Sequence, residues 1–269
     1  MNVPVIALLT DFGEEDWFVG TMKGVMKSIA PAASLIDITH GVPPFDVRGG
    51  ALALRSSYRF FPENTVFCCV VDPGVGTERS ALCATDGRQF FIAPDNGLLT
   101  LVVRDAGAGF RAYRAQNRRY FLKETSFTFQ GRDVFAPLAA HIASGLLPER
   151  TGPPANDLVL LEAPAPKGVS PTALRGEVFY VDRFGNLITN IERKHAAEFQ
   201  DSSGAPENWK LKIQGVMVSG PSRTFANRER GELLFYWGSS DLLEIAVNQD
   251  SAAKILNASP GCEVALFFH

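Results

Sequence analysis

Cysteine and histidine are both scarce in this chain of 269 residues, with four of each. The cysteines fall at positions 68, 69, 83 and 262. Neighbours Cys68 and Cys69 point to opposite faces of an extended strand, so there is no CxxC pair and no zinc spacing. They read as buried, reduced thiols, as expected of a cytoplasmic protein. His40, His141, His195 and His269 are dispersed and form no HExxH, so no metal is expected. No apolar run approaches the roughly 18–20 residues that span a bilayer, so no membrane partner is expected. The N-terminus has no basic segment leading into an apolar stretch, and no signal peptide is expected. A net charge of −3 with scattered cations gives no broad attraction for nucleic acid. The densest positive cluster, Arg111 to Lys123, is interrupted by apolar residues and reads as a solvated edge. Neither G-x-G-x-x-G, G-x-x-x-x-G-K-[ST] nor G-x-S-x-G occurs, and Gly74-Val75-Gly76 is too short to cradle a phosphate.

What is present is apolar content of 46%, enough for one large core or two smaller ones. Val3 to Leu9 reads as a buried strand ending in Thr10-Asp11-Phe12-Gly13. Phe18, Met22, Val25, Met26 and Ile29 follow helical spacing until Ala30-Pro31. A strand at Leu35 to Ile38 leads into Thr39-His40-Gly41 and the Pro43-Pro44-Phe45-Asp46 loop, followed by a helix from Gly50 to Phe60. After the strand at 65–71, an Asp86-Gly87 turn separates strands 81–85 and 89–92. Leu98 to Arg104 begins a helix, and Val134 to Ser144 forms another that Gly145 stops. This βα alternation predicts a mostly parallel central sheet with covered faces. The proline-rich stretch Thr151 to Pro171 reads as a linker or extended crossing. Beyond it come strands at Gly176–Asp182, Leu187–Ile191, Leu211–Val218, Leu233–Trp237, Leu242–Val247 and Glu263–Phe268. The expected fold is α/β: an N-terminal α/β domain over residues 1–165 and a smaller antiparallel β-barrel over 170–269.

The chemistry collects at strand ends. Phe67-Cys68-Cys69-Val70-Val71 drives into Asp72-Pro73-Gly74-Val75-Gly76, with Arg79 one short loop further. In an open α/β sheet that edge is where ligands bind, although an Asp before Pro-Gly also serves simply as a turn former. Asp11, Asp16, Asp46, Asp95-Asn96 and Asp133 lie in similar loops and could converge on one rim. Such a rim suits polyhydroxylated or cationic ligands, through paired acceptors and stabilisation of positive charge.

Five segments in order then carry a resemblance. They are Leu9-Thr10-Asp11-Phe12-Gly13, Asp72-Pro73-Gly74-Val75-Gly76-Thr77 with Arg79, Ala93-Pro94-Asp95-Asn96-Gly97-Leu98-Leu99, Gly131-Arg132-Asp133-Val134-Phe135-Ala136-Pro137, and Asp182-Arg183-Phe184-Gly185-Asn186-Leu187-Ile188-Thr189-Asn190. The series resembles the S-adenosyl-L-methionine hydroxide adenosyltransferase family, relatives of the fluorinating and chlorinating enzymes, from about residue 5 to 268. The resemblance implies a homotrimer with the site between one subunit's N-domain and its neighbour's C-domain. It implies attack of water or hydroxide on ribose C5′ of S-adenosyl-L-methionine, giving adenosine and methionine without a cofactor.

By the same resemblance, Asp11 would hold the ribose hydroxyls and Asp16 would lie near the methionine amino group. Phe45 and Phe129 would wall the reaction centre. Asp182 and Ser240 would take the ends of methionine, and Phe184 and Asn186 would take adenine. Ser239, Glu244 and Asn248 belong to the same barrel segment. Asp72 and Arg79 match two members of a water-activating Asp-Arg-His set. The third departs: Thr128-Phe129-Gln130-Gly131-Arg132-Asp133 has Gln130 where the family has histidine. Glutamine can orient water but cannot take a proton near neutral pH. Either Asp72 and Arg79 carry the step, or the chain is a weakened S-adenosylmethionine- or adenosine-binding protein. A halogenase is the other alternative, disfavoured because the Asp72 carboxylate would repel a halide.

Overall fold

The computed structural model describes residues 3–162, 165–197 and 209–268. The chain divides into two compact units, Met1–Leu161 and Glu162–His269.

In the first unit, β1 (Val5–Thr10), β2 (Ser34–Thr39), β3 (Val66–Val70), β4 (Ala81–Thr85), β5 (Phe90–Pro94) and β6 (Arg111–Arg114) form one sheet. Its order is β2-β1-β3-β5-β4-β6. The β1–β2, β1–β3 and β3–β5 pairs are parallel, and β4 is antiparallel to both neighbours. Helices α1 (Phe18–Ile29), α2 (Val47–Ser57), α3 (Thr100–Ala106) and α4 (Ala136–Ala143) cover it.

The inner strands β1, β3 and β5 are almost continuously apolar because both faces are covered. Ile6 and Leu8 of β1 and Val66, Cys68 and Val70 of β3 pack with Met22 and Met26 of α1 and Leu138 of α4. Ala7, Leu9, Phe67 and Cys69 face the opposite way, toward Leu54 of α2 and Val102 of α3. Cys68 and Cys69 thus lie in different cores, and burial pushes the Cys68 thiol up to about 12.

In this unit three local expectations change. The cationic stretch from Arg111 contains β6, whose edge position lets arginines project while its backbone pairs with β4. Residues 151–161 are not a free linker but run along the first unit. Arg114 N–H donates to Pro153 O, Ala155 N–H to Ala112 O, and Leu161 N–H to Thr100 Oγ1. Prolines there lack donors yet still offer carbonyls, so an extended chain can dock. Helix α4 is entered through a π-helical turn, Gly131–Phe135.

In the second unit, β7 (Lys167–Ser170), β8 (Ala173–Val181), β9 (Leu187–Glu192), β10 (Trp209–Ile213), β11 (Val216–Gly220), β12 (Leu233–Trp237), β13 (Leu242–Val247) and β14 (Glu263–Phe267) pair throughout in antiparallel fashion. The order β11-β10-β14-β8-β9-β13-β12 nearly closes, with Ser222 N–H just beyond β11 donating to Phe235 O of β12. The expected single strand Leu211–Val218 is a hairpin instead. Gln214 (φ 47°) and Gly215 (φ 78°) take the left-handed conformations that a two-residue hairpin turn requires. Trp209, Phe235, Leu266 and Phe268 fill the barrel.

Candidate active site

The C-terminal ends of β1 and β3 and the loop before the π-helical turn surround a cavity of about 280 Å³. Asp11, Phe45, Asp72, Phe129 and Gln130 all line it, as do Phe12, Phe18, Val70, Val75 and Thr128. Five of the expected site residues are therefore brought together although 119 positions separate the first from the last (130 − 11).

Asp72 and Arg79 form a nearly buried pair, with side chains 4% and 10% exposed. Arg79 Nε lies 2.9 Å from both Asp72 oxygens, and Arg79 Nη2 also donates to Oδ2. The same Nη2 donates to Gln130 Oε1 at 2.5 Å. The guanidinium is backed by the Phe135 ring, 5.1 Å away. Arginine has no acceptor, so this contact fixes the carboxamide: oxygen toward Arg79, leaving the NH₂ group for other partners. Gly76 permits the loop's close approach. At φ 82°, a Cβ there would meet Phe127 O at 2.9 Å.

Asp11 Oδ2 accepts the Phe45 N–H at 2.8 Å. Burial raises the Asp11 carboxyl above its ordinary value, the nearby Asp72 charge adds to this, and the Phe45 N–H opposes it. Phe45 holds a left-handed backbone (φ 68°) and, 70% exposed as a residue, lines the cavity. For a bulky residue that conformation costs on the order of 1–3 kcal/mol and is retained only where surrounding contacts impose it. Phe129 packs edge-on against Phe12 and Phe18, at 6.2 and 5.1 Å between ring centres. A Cβ on Gly131 would press on the Phe12 ring at 3.2 Å, so glycine lets the aromatic wall close.

The remaining rim carboxylates have structural partners. Asp46 caps α2 through Gly49 N–H, and Asp95 accepts Val159 N–H. Asp133 is fully buried, where it accepts Ser126 N–H and pairs with Arg132. It thereby anchors the loop that carries Phe129 and Gln130. Asp16 is exposed in the loop before α1 and does not line the cavity. Phe12 and Phe18 were not singled out from sequence. Their aromatic character beside the Asp11 loop was the available signal.

In the second unit, Phe184, Asn186 and Asn248 line an open pocket with Phe225, Gln249 and Ser251. Asp182 is turned inward. Its Oδ1 accepts Phe184 and Asn186 backbone N–H groups, and its Oδ2 accepts the Asn186 carboxamide at 2.8 Å. It shapes this turn and aims Asn186. Glu244 accepts the Tyr236 hydroxyl at 2.6 Å, and burial raises its carboxyl, with the Asp182 charge adding to the effect. Ser239 and Ser240 lie in the β12–β13 turn, the first exposed and the second half-buried. Among the described residues no group of three or more His, Cys, Asp or Glu side chains is placed to hold a metal ion. No helix among them is long and apolar enough to cross a membrane.

Residues 6–152 match the SAM hydroxide adenosyltransferase N-terminal domain, and residues 176–265 match the C-terminal domain. The chain belongs to the SAM hydroxide adenosyltransferase family. It is 39% identical to the (R)-S-adenosyl-L-methionine hydrolase of Thermus thermophilus over 97% of this chain and 98% of that protein. It is 30% identical to a fluorinase of Actinoplanes sp., over 98% and 97% of the two chains. A crystal structure of an uncharacterized conserved protein from Thermotoga maritima superposes with a TM-score of 0.88. The two are 38% identical, over 97% of this adenosyltransferase-family chain and 99% of the other.

Proposed function

We propose that this chain is an enzyme that hydrolyses S-adenosyl-L-methionine to adenosine and L-methionine. The observation that carries the proposal is the Asp72–Arg79–Gln130 contact line beside an aromatic-walled cavity that also holds Asp11. Relatives named (R)-S-adenosyl-L-methionine hydrolase support it, and we extend their (R) configuration at sulfur to the preferred substrate here.

Water attacks C5′ as the C5′–S bond breaks. The bonding pair leaves on the methionine thioether, and the proton released from water passes to solvent or to a carboxylate. A sulfonium leaves readily, so alignment and exclusion of bulk water are the main requirements, and no cofactor is called for. Charge diminishes as hydroxide meets sulfonium, a change that an apolar pocket favours. Arg79 supplies fixed positive charge where hydroxide character develops. Arg79 engages both Asp72 oxygens, yet Asp72 Oδ1 keeps acceptor capacity to orient the water. Gln130 offers N–H rather than a base. Asp11 suits the ribose hydroxyls, and Phe45 and Phe129 the sugar and sulfonium faces.

The assembly we propose is a homotrimer in which a neighbour's barrel supplies Phe184, Asn186, Asn248 and the Ser239–Ser240 turn toward adenine and methionine. A cytoplasmic location accords with the four free cysteines. Fluorinase relatives raise halide chemistry, but an anionic Asp72 at the nucleophile's place argues against it. A binding protein without turnover is the second reading, which Gln130 favours. Incubation with the separated sulfonium epimers, with adenosine and methionine followed by chromatography, decides. Binding with no adenosine released from either epimer would reject hydrolysis.

A further inference from the structure

His40 is 3% exposed and Thr10 fully buried, and neither belongs to the cavity wall. His40 Nδ1 lies 2.8 Å from Thr10 Oγ1. His40 Nε2 approaches Asp37 Oδ1 at 3.0 Å, and Asp37 in turn takes Lys23 at 2.6 Å. Thr10 Oγ1 also accepts Phe12 N–H at 3.2 Å. With the imidazole proton on Nε2, Nδ1 accepts the threonine hydroxyl, and that oxygen accepts the Phe12 N–H. One directed chain then runs from His40 to the backbone of the cavity wall, with Asp37 an electrostatic neighbour of Nε2 rather than a hydrogen-bonded member.

The chain sits where the sheet ladder slips. β1 and β2 pair in register through Leu8–Asp37, then shift so that Leu9 pairs with Thr39 and Ile38 is the extra residue. Beyond this bulge the two strands diverge into the Asp11–Gly13 and Gly41–Asp46 loops, both of which border the cavity. They are then cross-linked by Thr10 to His40, by Gly13 N–H to His40 O at 2.9 Å, and by Phe45 N–H to Asp11. Only the first link joins two side chains. A bulge re-aims a strand end, and the Thr10–His40 contact ties the re-aimed end of β1 to the loop after β2.

We infer that Thr10 and His40, backed by Asp37, are positioning residues that hold the Asp11 and Phe45 loops at the spacing the reaction requires. Their role rests on the proposed hydrolase reading but is separable from it. The test compares Thr10→Val, Thr10→Ser, His40→Ala and the Thr10→Val/His40→Ala double variant. Steady-state kinetics with S-adenosylmethionine are measured beside hydrogen exchange of the Phe12, Gly13 and Phe45 amides.

Misalignment of reacting groups by about 1 Å can cost on the order of 100-fold. The expected result is a loss of about 10- to 100-fold in kcat/KM for Thr10→Val, with faster exchange at those three amides. Thr10→Ser should stay near wild type, and the double variant should lose no more than the worse single one. Wild-type kinetics in Thr10→Val, or losses that multiply in the double variant, overturn the inference. If His40→Ala does not fold, the Thr10 Val/Ser contrast decides alone. If wild-type protein shows no turnover, hydrolysis is what fails. The link between the loops is then decided by exchange, and unchanged protection in Thr10→Val overturns it.

Discussion

Arg79 donates to Gln130 Oε1 while holding both oxygens of Asp72, so one guanidinium sets the orientation of two candidate water-handling groups. Gln130 faces the cavity with its oxygen already engaged. It can hold a water through N–H, but it cannot remove a proton.

The first prediction concerns that deficit. Gln130→His introduces an imidazole beside Arg79, where the family resemblance expects one. General acid–base groups contribute about 10²–10⁴-fold, so turnover should rise at least about tenfold. Single-turnover formation of adenosine measures it. An unchanged rate removes position 130 from the proton path.

Asp72→Ala should abolish turnover while adenosine still binds. It also leaves Arg79 buried with its main partner gone, at a cost of about 3–5 kcal/mol typical of a broken buried ion pair. Urea unfolding and calorimetric titration with adenosine separate the two effects. Loss of adenosine binding in a folded variant would reassign Asp72 to ligand holding.

Asp11 carries a raised carboxyl, so the folded chain binds its proton more tightly than the unfolded chain does. Its contribution to stability is therefore unfavourable at neutral pH, and the penalty is relieved as pH falls through the raised value. Asp11→Asn, whose carbonyl can still accept the Phe45 N–H, should unfold at higher urea than wild type at pH 7. That advantage should vanish near pH 3. The same change should weaken adenosine binding by about 10- to 100-fold, as expected when charge-assisted hydrogen bonds are lost. A pH-independent stability difference would contradict the burial argument.

If each site is completed by a neighbour's barrel, Asp72→Ala and Asn186→Ala lesions lie on different chains of a mixed oligomer. Co-refolding equal amounts should restore activity at about a quarter of the sites by random assortment. Light scattering should give the mass of three chains. Absence of complementation in co-refolded, mixed trimers would place both halves of the site on one chain.

The local chemistry of the polypeptide determined much of this protein. Apolar runs covered on both faces made β1 and β3, helical spacing stopped by Ala30-Pro31 bounded α1, and Asp86-Gly87 made the β4–β5 turn. The Gln214-Gly215 turn is masked in the sequence because apolar residues continue on both sides of it. β6 is not legible in the sequence because an exposed edge strand carries no strong apolar signature.

Only the tertiary structure decided which rim carboxylates line the cavity. Asp46, Asp95 and Asp133 look like Asp11 and Asp72 in the sequence, each following a strand or preceding a helix. Their lone pairs are taken by backbone N–H groups, that of Asp95 by Val159, 64 positions away. Likewise, Gln130 reaches Arg79 across 51 positions, and Asp11 reaches Phe45 across 34. Strand-end placement is a local property of the chain. Whether a carboxylate there also lines a cavity, as Asp11 and Asp72 do while holding donors of their own, depends on neighbours that folding brings together.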